Sequence, residues 1–371
     1  MKGRNMVKVL MTAGHAATTA LSLFEEIKKE GKNWEVVWIG TKKAIEGRDV
    51  TTLEHKIFSN LGIKSYFINS GRLQRKLSLY TIPALLKLPV GFVESLFILI
   101  REKPDVVVSF GGHVSFPVAF SSYLLGIPVV IHEQTAAAGL ANKMESGFAR
   151  KIAISRESSF DYFPKNKTVL VGNLVRSGIA GIVPKKEIGR PPVLYITGGS
   201  RGSQMVNEIV DKCLETLLKD YSVIHHTGEL DIEHFTNRKE SLDKKLSDNY
   251  LVKKNFNTEE VTDIFRKADI VVSRAGANTV SEIIVTRKPS LLIPIPWVQN
   301  NEQEKNARIA ERIGLSRVVS EYDLTPEVFL KEINFLRDNW QSISGKSSKV
   351  VEELDKNASK RMVELVEEVL K

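Results

Sequence analysis

The chain has 371 residues, 42% hydrophobic and 26% charged; this composition excludes a disordered or collagen-like chain and suits a globular protein of two domains. Its formal net charge is +9, and residues 1–175 hold 23 Lys and Arg against 14 Asp and Glu while the remainder is balanced at 30 against 30. The basic excess therefore lies in the N-terminal half and favours an anionic partner there: nucleic acid, acidic lipid or a phosphorylated substrate. A single cysteine, Cys213 in "VDKCLETLL", excludes an internal disulfide and reads as an inert helix thiol in a reducing compartment.

From the N-terminus, "MKGRNMVKVLMTAGHA" turns polar and glycine-bearing before a long apolar core develops, so no secretory leader is expected. Short β-branched runs then alternate with helical patterns: "VKVLM", "EVVWI", "SYFI", "DVVVS", "PVVIH", "KIAI" and "TVLV". Residues 82–100, "IPALLKLPVGFVESLFILI", contain Lys87, Glu94 and two prolines. They read as an amphipathic surface element or a core helix, not a membrane span. A Gly- and Pro-bearing stretch, residues 172–192, is the linker. Beyond it the plan repeats with "VLYIT", "SVIHH", "YLVK", "DIVVS", "SLLIP" and "SRVV". Continuous apolar strands separated by helices predict an α/β chain of two doubly wound, parallel-sheet domains with a cleft between them. The domains are expected at 1–175 and 176–349, with a terminal amphipathic helix over about 350–371.

Three glycine-bearing turns follow predicted strands: "MTAGHAATTA", "FGGHVSFP" and "TGGSRGSQMVN". A fourth, "SRAGANTVSEII", opens a helix after "ADIVV". Each leaves small residues where unpaired N–H groups and the positive end of a helix can meet an anion. None is a phosphate loop with Lys-Ser/Thr and none is a clean G-x-G-x-x-G. With no Asp-x-Asp pair and no His/Cys cluster at ligand spacing, no metal or cofactor is expected. Arg176 and Arg274 are then the cations for a diphosphate, and Glu282 is placed to accept from ribose hydroxyls.

"KPDVVVSFGGHVSFPVAFSSYLLGIPVVIHEQTAAAGLANK", "VGNLVR", "VLYITGGSRGSQMVNEIV", "ADIVVSRAGANTVSEI", "PSLLIPIP" and "NNEQEKNA" occur in that order. By these motifs the chain resembles, nearly end to end, the family 28 glycosyltransferases that add N-acetylglucosamine to a lipid-linked muramoyl pentapeptide in peptidoglycan synthesis. The resemblance implies a GT-B fold, two Rossmann-like domains facing across a cleft, and inverting, metal-independent transfer. UDP-N-acetylglucosamine would bind mainly the C-terminal domain. The polyprenyl diphosphate acceptor would dock on the N-terminal domain, at the cytoplasmic face of an anionic membrane; nucleic acid is not among the partners.

Carried over by position, Gly198, Gly199 and Ser200 would contact the UDP diphosphate, with Arg176 and Arg274 nearby. Gly276, Ala277, Asn278, Thr279, Val280, Ser281 and Glu282 would line the nucleotide. Uracil would be read near Asn257 and Thr258, and the sugar by Gln303. Thr12, Ala13, Gly14 and Thr135 would also contact the donor. His15, Gly111, Gly112 and His113 would face the acceptor. An inverting transfer needs a base for the attacking hydroxyl and an electrostatic trap for the departing UDP; His15 is the first candidate base and Glu133 the second. His132 could orient a neighbour, and His225 and His226 read as structural, a reading that His113 shares with its acceptor role. The chain departs from the family pattern in a first loop with fewer glycines, in His113 where tyrosine is usual, and at Thr135, Asn278 and Glu302. These departures keep two alternatives open. One is a UDP-sugar transferase or epimerase acting on another lipid-linked acceptor; the other is a sugar-nucleotide-binding scaffold.

Overall fold

The computed structural model describes residues 6–14, 16–41, 53–71, 81–199, 202–346 and 348–371. His15 and Ser200 lie outside the described residues. The chain divides into two compact units, Met1–Arg176 with Asn357–Lys371, and Ser177–Lys356.

Among its described residues the first unit carries seven strands: β1 (Val7–Thr12), β2 (Trp34–Gly40), β3 (Lys64–Phe67), β4 (Val106–Ser109), β5 (Val129–Glu133), β6 (Lys151–Ile154) and β7 (Thr168–Leu170). They form one parallel sheet in the order β3-β2-β1-β4-β5-β6-β7. The second carries six: β8 (Val193–Thr197), β9 (Ser222–His226), β10 (Tyr250–Lys253), β11 (Ile270–Ser273), β12 (Ser290–Leu292) and β13 (Ser316–Val318). Their order, β10-β9-β8-β11-β12-β13, is also parallel throughout. The inner strands of both sheets bury both faces, which is why they are the apolar runs of the sequence, while the edge strands β3, β10 and β13 stay partly exposed. On β1, Val9 and Met11 point into one hydrophobic layer and Leu10 into the other, all with no exposed surface.

In each sheet the strand order reverses beside the first strand, between β1 and β4 and between β8 and β11. Ligands in open α/β sheets bind at such a reversal, outside the carboxyl ends of the strands. The four glycine turns singled out in the sequence occupy these four strand ends. The register is matched as well: Thr12 pairs with Ser109 in the first unit, and Ser273 with Thr197 in the second.

The C-terminal stretch is two helices, not one. Lys349–Lys356 packs on Ala277–Thr286 in the second unit, where Arg287 Nε donates to Glu352 at 2.9 Å. Ala358–Leu370 returns to the first unit beside Ala17–Lys29 and buries Met362, Val363, Leu365 and Val366. Each of those side chains contributes about 1.5–3 kcal/mol on burial, enough to hold the returning helix. Thr81–Glu102 contains Pro89 and leaves Val90, Val93, Phe97 and Ile100 exposed. No helix among the described residues is long and apolar enough to cross a membrane.

Candidate active site

The two units repeat one backbone device. Ser109, at the end of β4, accepts from the Gly111 N–H at 3.2 Å; Thr197, at the end of β8, accepts from the Gly199 N–H at 3.1 Å. Both glycines lie in the left-handed region, Gly111 at φ 77 and Gly199 at φ 84. A strand-end hydroxyl thus closes each turn.

In the first unit the turns after β1 and β4 pack backbone to backbone. The Gly14 N–H donates to the Gly111 carbonyl at 2.8 Å, and a Cβ on Gly112 would come within 2.7 Å of the Gly14 Cα. Gly112 itself is exposed, and His113 is half-buried with its ring beside Gly14. Thr12 and Ala13 are buried, so their side chains offer a ligand no surface.

Glu133, at the end of β5, is 2% exposed, and both of its oxygens are engaged. Oε1 accepts from the Thr135 N–H at 3.1 Å and lies 2.8 Å from the Thr135 hydroxyl. Oε2 accepts from the Gly139 N–H and from Asn142 Nδ2, each at 2.8 Å. In this arrangement Glu133 braces residues 135–142 and is not poised as a base; Thr135 is turned inward with it. His132 Nε2 lies 3.0 Å from the Gly172 carbonyl, so that nitrogen is the donor and the ring ties β5 to the start of the linker stretch. Sequence reasoning missed Asn142, Glu145 and Ser115, which surround the second turn. The signal was available in "NKME", whose first and last residues share one helix face.

In the second unit, a Cβ on Gly198 would meet the Ser203 amide at 2.2 Å and one on Gly202 the Thr227 carbonyl at 2.1 Å. These two glycines serve close packing. Gly199 and Gly276 differ, since a Cβ on either would meet nothing within 4 Å. They face open space above β8 and β11. Ala277–Thr286 starts at Gly276, and its first backbone bond runs from the Val280 N–H to the Gly276 carbonyl. Gly276, Ala277, Asn278 and Thr279 are partly exposed, whereas Val280, Ser281 and Glu282 are buried at 1%, 0% and 9%. The accessible end is therefore the first turn, with Glu282 one turn deeper.

Arg274 corrects the expected phosphate clasp. It is 6% exposed: Nε donates to Ser203 Oγ at 2.9 Å, and Nη1 to the Ile293 carbonyl at 3.2 Å and to Glu321 Oε2 at 2.6 Å. Its charge is matched inside the fold, where it ties four chain segments together. Asn257 caps Thr258–Lys267 in a reciprocal box with Glu260, each bond 2.9 Å. Its N–H is consumed there, so a base read at this position would meet the carbonyl or Thr258. Gln303 Oε1 accepts from the Ile295 N–H at 3.1 Å, which fixes the side chain at the start of Glu302–Ile313. Arg176 is buried and ends the first unit.

His225 and His226 are structural. His225 is fully buried between Asn207 and Tyr250, and burial holds its pKa down to about 3. His226 packs on Phe256 and bonds Thr197, its pKa also lowered by burial. Cys213 is buried and its thiol pushed up to about 11, an inert group at neutral pH. Among the described residues no three His, Cys, Asp or Glu side chains converge as metal ligands.

Two parallel-sheet Rossmann-like domains, each with glycine turns at its strand-order reversal, are the layout of the GT-B fold. The model of the glycosyltransferase family 28 N-terminal domain matches residues 11–154, and that of the C-terminal domain residues 193–364. The chain belongs to glycosyltransferase family 28. A relative from Clostridium kluyveri, named UDP-N-acetylglucosamine--N-acetylmuramyl-(pentapeptide) pyrophosphoryl-undecaprenol N-acetylglucosamine transferase, is 35% identical over 342 residues, covering 89% of this chain and 91% of its own. One of the same name from Clostridium botulinum strain Loch Maree is 33% identical over 377 residues, covering 99% and 100%. The crystal structure of Acinetobacter baumannii MurG matches with a TM-score of 0.68 at 24% identity, over 98% of this chain and 99% of that one.

Proposed function

We propose that the chain transfers N-acetylglucosamine from UDP-N-acetylglucosamine to the muramoyl sugar of undecaprenyl-diphospho-N-acetylmuramoyl-pentapeptide, with inversion, at an anionic membrane surface. The observation that carries this reading is the pair Gly199 and Gly276, open to space at the reversal between β8 and β11 in a family 28 chain. Backbone amides at that reversal and the exposed first turn of Ala277–Thr286 would take the diphosphate of the donor, with Ser200 as the proposed side-chain contact. Glu282 would accept from the ribose. Gln303 has its carbonyl oxygen held by Ile295, so its amide nitrogen would turn to the hexose.

In the transfer, the acceptor hydroxyl oxygen attacks the donor C1 from the face opposite the diphosphate. The C1–O bond to phosphate breaks, UDP leaves with the bonding pair, and the hydroxyl proton passes to a base. His15, next in sequence to Gly14, is the proposed base, and the exposed Gly112 amide would meet the acceptor diphosphate. Glu133 serves the same loops as a brace. UDP would be trapped by amides and by Arg176 without a chelated cation. The basic excess of residues 1–175 and the apolar face at Val90, Val93, Phe97 and Ile100 would bring the first unit to the lipid.

Incubation with UDP-N-acetylglucosamine and the lipid-linked muramoyl pentapeptide should release UDP and give a product heavier by one N-acetylhexosamine, at a rate that excess chelator leaves unchanged. Turnover with a different acceptor only, or UDP binding without turnover, would refute the assignment.

A further inference from the structure

Of the four tryptophans in the chain, three are engaged inside the fold. Trp38 has no exposed surface and stacks on Phe58 with ring centroids 4.3 Å apart. Trp340 is buried and donates its indole N–H to the Asp269 carbonyl at 2.9 Å. Trp34 packs half-buried against the core of the first unit. Trp297 differs: it is 66% exposed, and among the described residues no hydrogen bond or ring contact engages it. One exposed aromatic means little by itself. The placement of Trp297 gives it meaning.

Trp297 follows β12, whose last residue, Leu292, pairs with Ser273 at the end of β11. The Trp297 loop and the Gly276 turn therefore leave adjacent parallel strands at the same edge of the second sheet. The helix Glu302–Ile313 ties the two together. Gln303 Oε1 accepts from the Ile295 N–H at 3.1 Å and so closes residues 295–303 into a loop that contains Trp297. Three residues on, and on the same helix face, buried Asn306 donates from Nδ2 to the Ala275 carbonyl at 3.3 Å, just before Gly276. One helix thus sets the Trp297 loop and the open turn relative to each other. The loop also holds two consecutive left-handed residues, Asn300 at φ 54 and Asn301 at φ 52. Residues other than glycine adopt that conformation at a cost, and it persists where the surroundings enforce it, often beside a ligand.

A hexose of gluco configuration points its ring C–H bonds at its two faces and its hydroxyls at its rim. An indole face suits such a ring, because it buries apolar area and its negative π face meets the polarised C–H groups. Gln303 and the unengaged indole N–H are then the polar groups for the rim. We propose that Trp297 is a donor-sugar contact: its indole lies against the hexose of the sugar nucleotide whose diphosphate takes the Gly276 turn. The nucleotide rests on the function proposed above; that Trp297 meets the sugar and leaves the nucleotide alone goes beyond it.

Calorimetric binding of UDP, UDP-glucose and UDP-N-acetylglucosamine to wild type, W297A and W297F tests this. UDP affinity should stay level in both variants. W297A should bind UDP-N-acetylglucosamine about five- to tenfold more weakly, with W297F, which keeps a smaller ring, between the two. Equal weakening of UDP and of the UDP-hexose in W297A would make Trp297 a support for the loop and overturn the proposal. Iodide quenching of wild-type tryptophan emission needs no variant to fold. A bound UDP-hexose should shield the exposed indole and UDP should not, and W297F should show no ligand-dependent shielding. Shielding by UDP alone would also overturn the proposal. A Trp297-dependent gain for UDP-glucose alone would uphold the stacking contact and change the donor assigned above. A gain from N-acetylglucosamine that is undiminished in W297A would keep that donor and remove Trp297 from it.

Discussion

Arg274 Nη1 lies 2.6 Å from Glu321 Oε2, with the two side chains 8% and 12% exposed. Removing one member of a pair so screened from water leaves the other charged and uncompensated, at a cost of about 3–5 kcal/mol. Glu321→Ala should therefore lower the denaturant midpoint markedly. The double variant R274M/E321L replaces both charges with apolar bulk and should recover most of that loss. Because Arg274 is already spent on Ser203, Ile293 and Glu321, UDP affinity in the double variant should change by less than about fivefold, roughly 1 kcal/mol. A stable double variant that binds UDP a hundredfold more weakly would return Arg274 to the phosphates.

Two glycines give opposite expectations under the same substitution. Gly112 combines φ 98 with a neighbour at 2.7 Å, so Gly112→Ala strains the backbone and pushes on Gly14, at about 1–3 kcal/mol. Its acceptor kcat/KM should drop while UDP affinity holds. Gly276 has an ordinary extended backbone (φ −64, ψ 144) and empty space ahead of it. Gly276→Ala should keep the thermal midpoint within about 2 °C, yet weaken UDP at least tenfold because its methyl enters the space assigned to the diphosphate. Unchanged UDP binding in Gly276→Ala would remove that turn from the donor site.

Among the described residues the inner strands were legible because a strand buried on both faces must be an apolar run, and the shorter, partly exposed edge strands were legible from their β-branched and aromatic residues. The turns were legible because glycine is costly elsewhere. What a polar side chain does at a strand end was not. Glu133 and Arg274 read as a base and a clasp because such a residue looks the same in sequence whether it meets a ligand or another part of the fold. The partners that decide it lie 9 and 47 positions further along, at Asn142 and Glu321. The terminal stretch, expected to pack back on the first domain as one helix, does so over Ala358–Leu370 only. Its apolar periodicity runs through Asn357, and only long-range packing sends the two halves to different units.

The buried network at His225 predicts acid sensitivity of the second unit. Asn207 Nδ2 donates to Thr227 and Asp231, so its oxygen must accept from His225 Nε2. That leaves Nδ1 bare to accept from the Tyr250 hydroxyl at 2.9 Å, which requires a neutral ring. With its folded pKa near 3 against the ordinary 6.5, His225 makes the unfolded chain bind more protons as pH falls. Stability should decline below pH 6.5 and go on declining toward pH 3, by about 1.4 kcal/mol per unit for this one group. Tyr250→Phe removes the donor to Nδ1 and should cost about 1–3 kcal/mol at neutral pH. Denaturant unfolding at stepped pH checks both; a Tyr250→Phe midpoint equal to that of the wild type would place the network outside the stabilising core.

Val90, Val93, Phe97 and Ile100 are spaced three, four and three apart, which sets them in one stripe along Thr81–Glu102. Phe97 is 70% exposed and Val93 54%, in a half of the chain that carries the whole basic excess. Apolar groups that enter a lipid interface contribute in proportion to the area they bury, about 1.5–3 kcal/mol for a phenylalanine. Phe97→Ser should therefore weaken association with anionic vesicles by about ten- to a hundredfold in partition coefficient. Loss of a side chain already in water leaves the fold intact, so the thermal midpoint should stay put. The remaining electrostatic attraction should fall away as salt shortens the Debye length from about 10 Å at 0.1 M to about 3 Å at 1 M. Co-sedimentation with anionic and with neutral vesicles, at low and high salt, reads both contributions. Equal binding of Phe97→Ser and wild type to anionic vesicles would exclude this face from membrane contact.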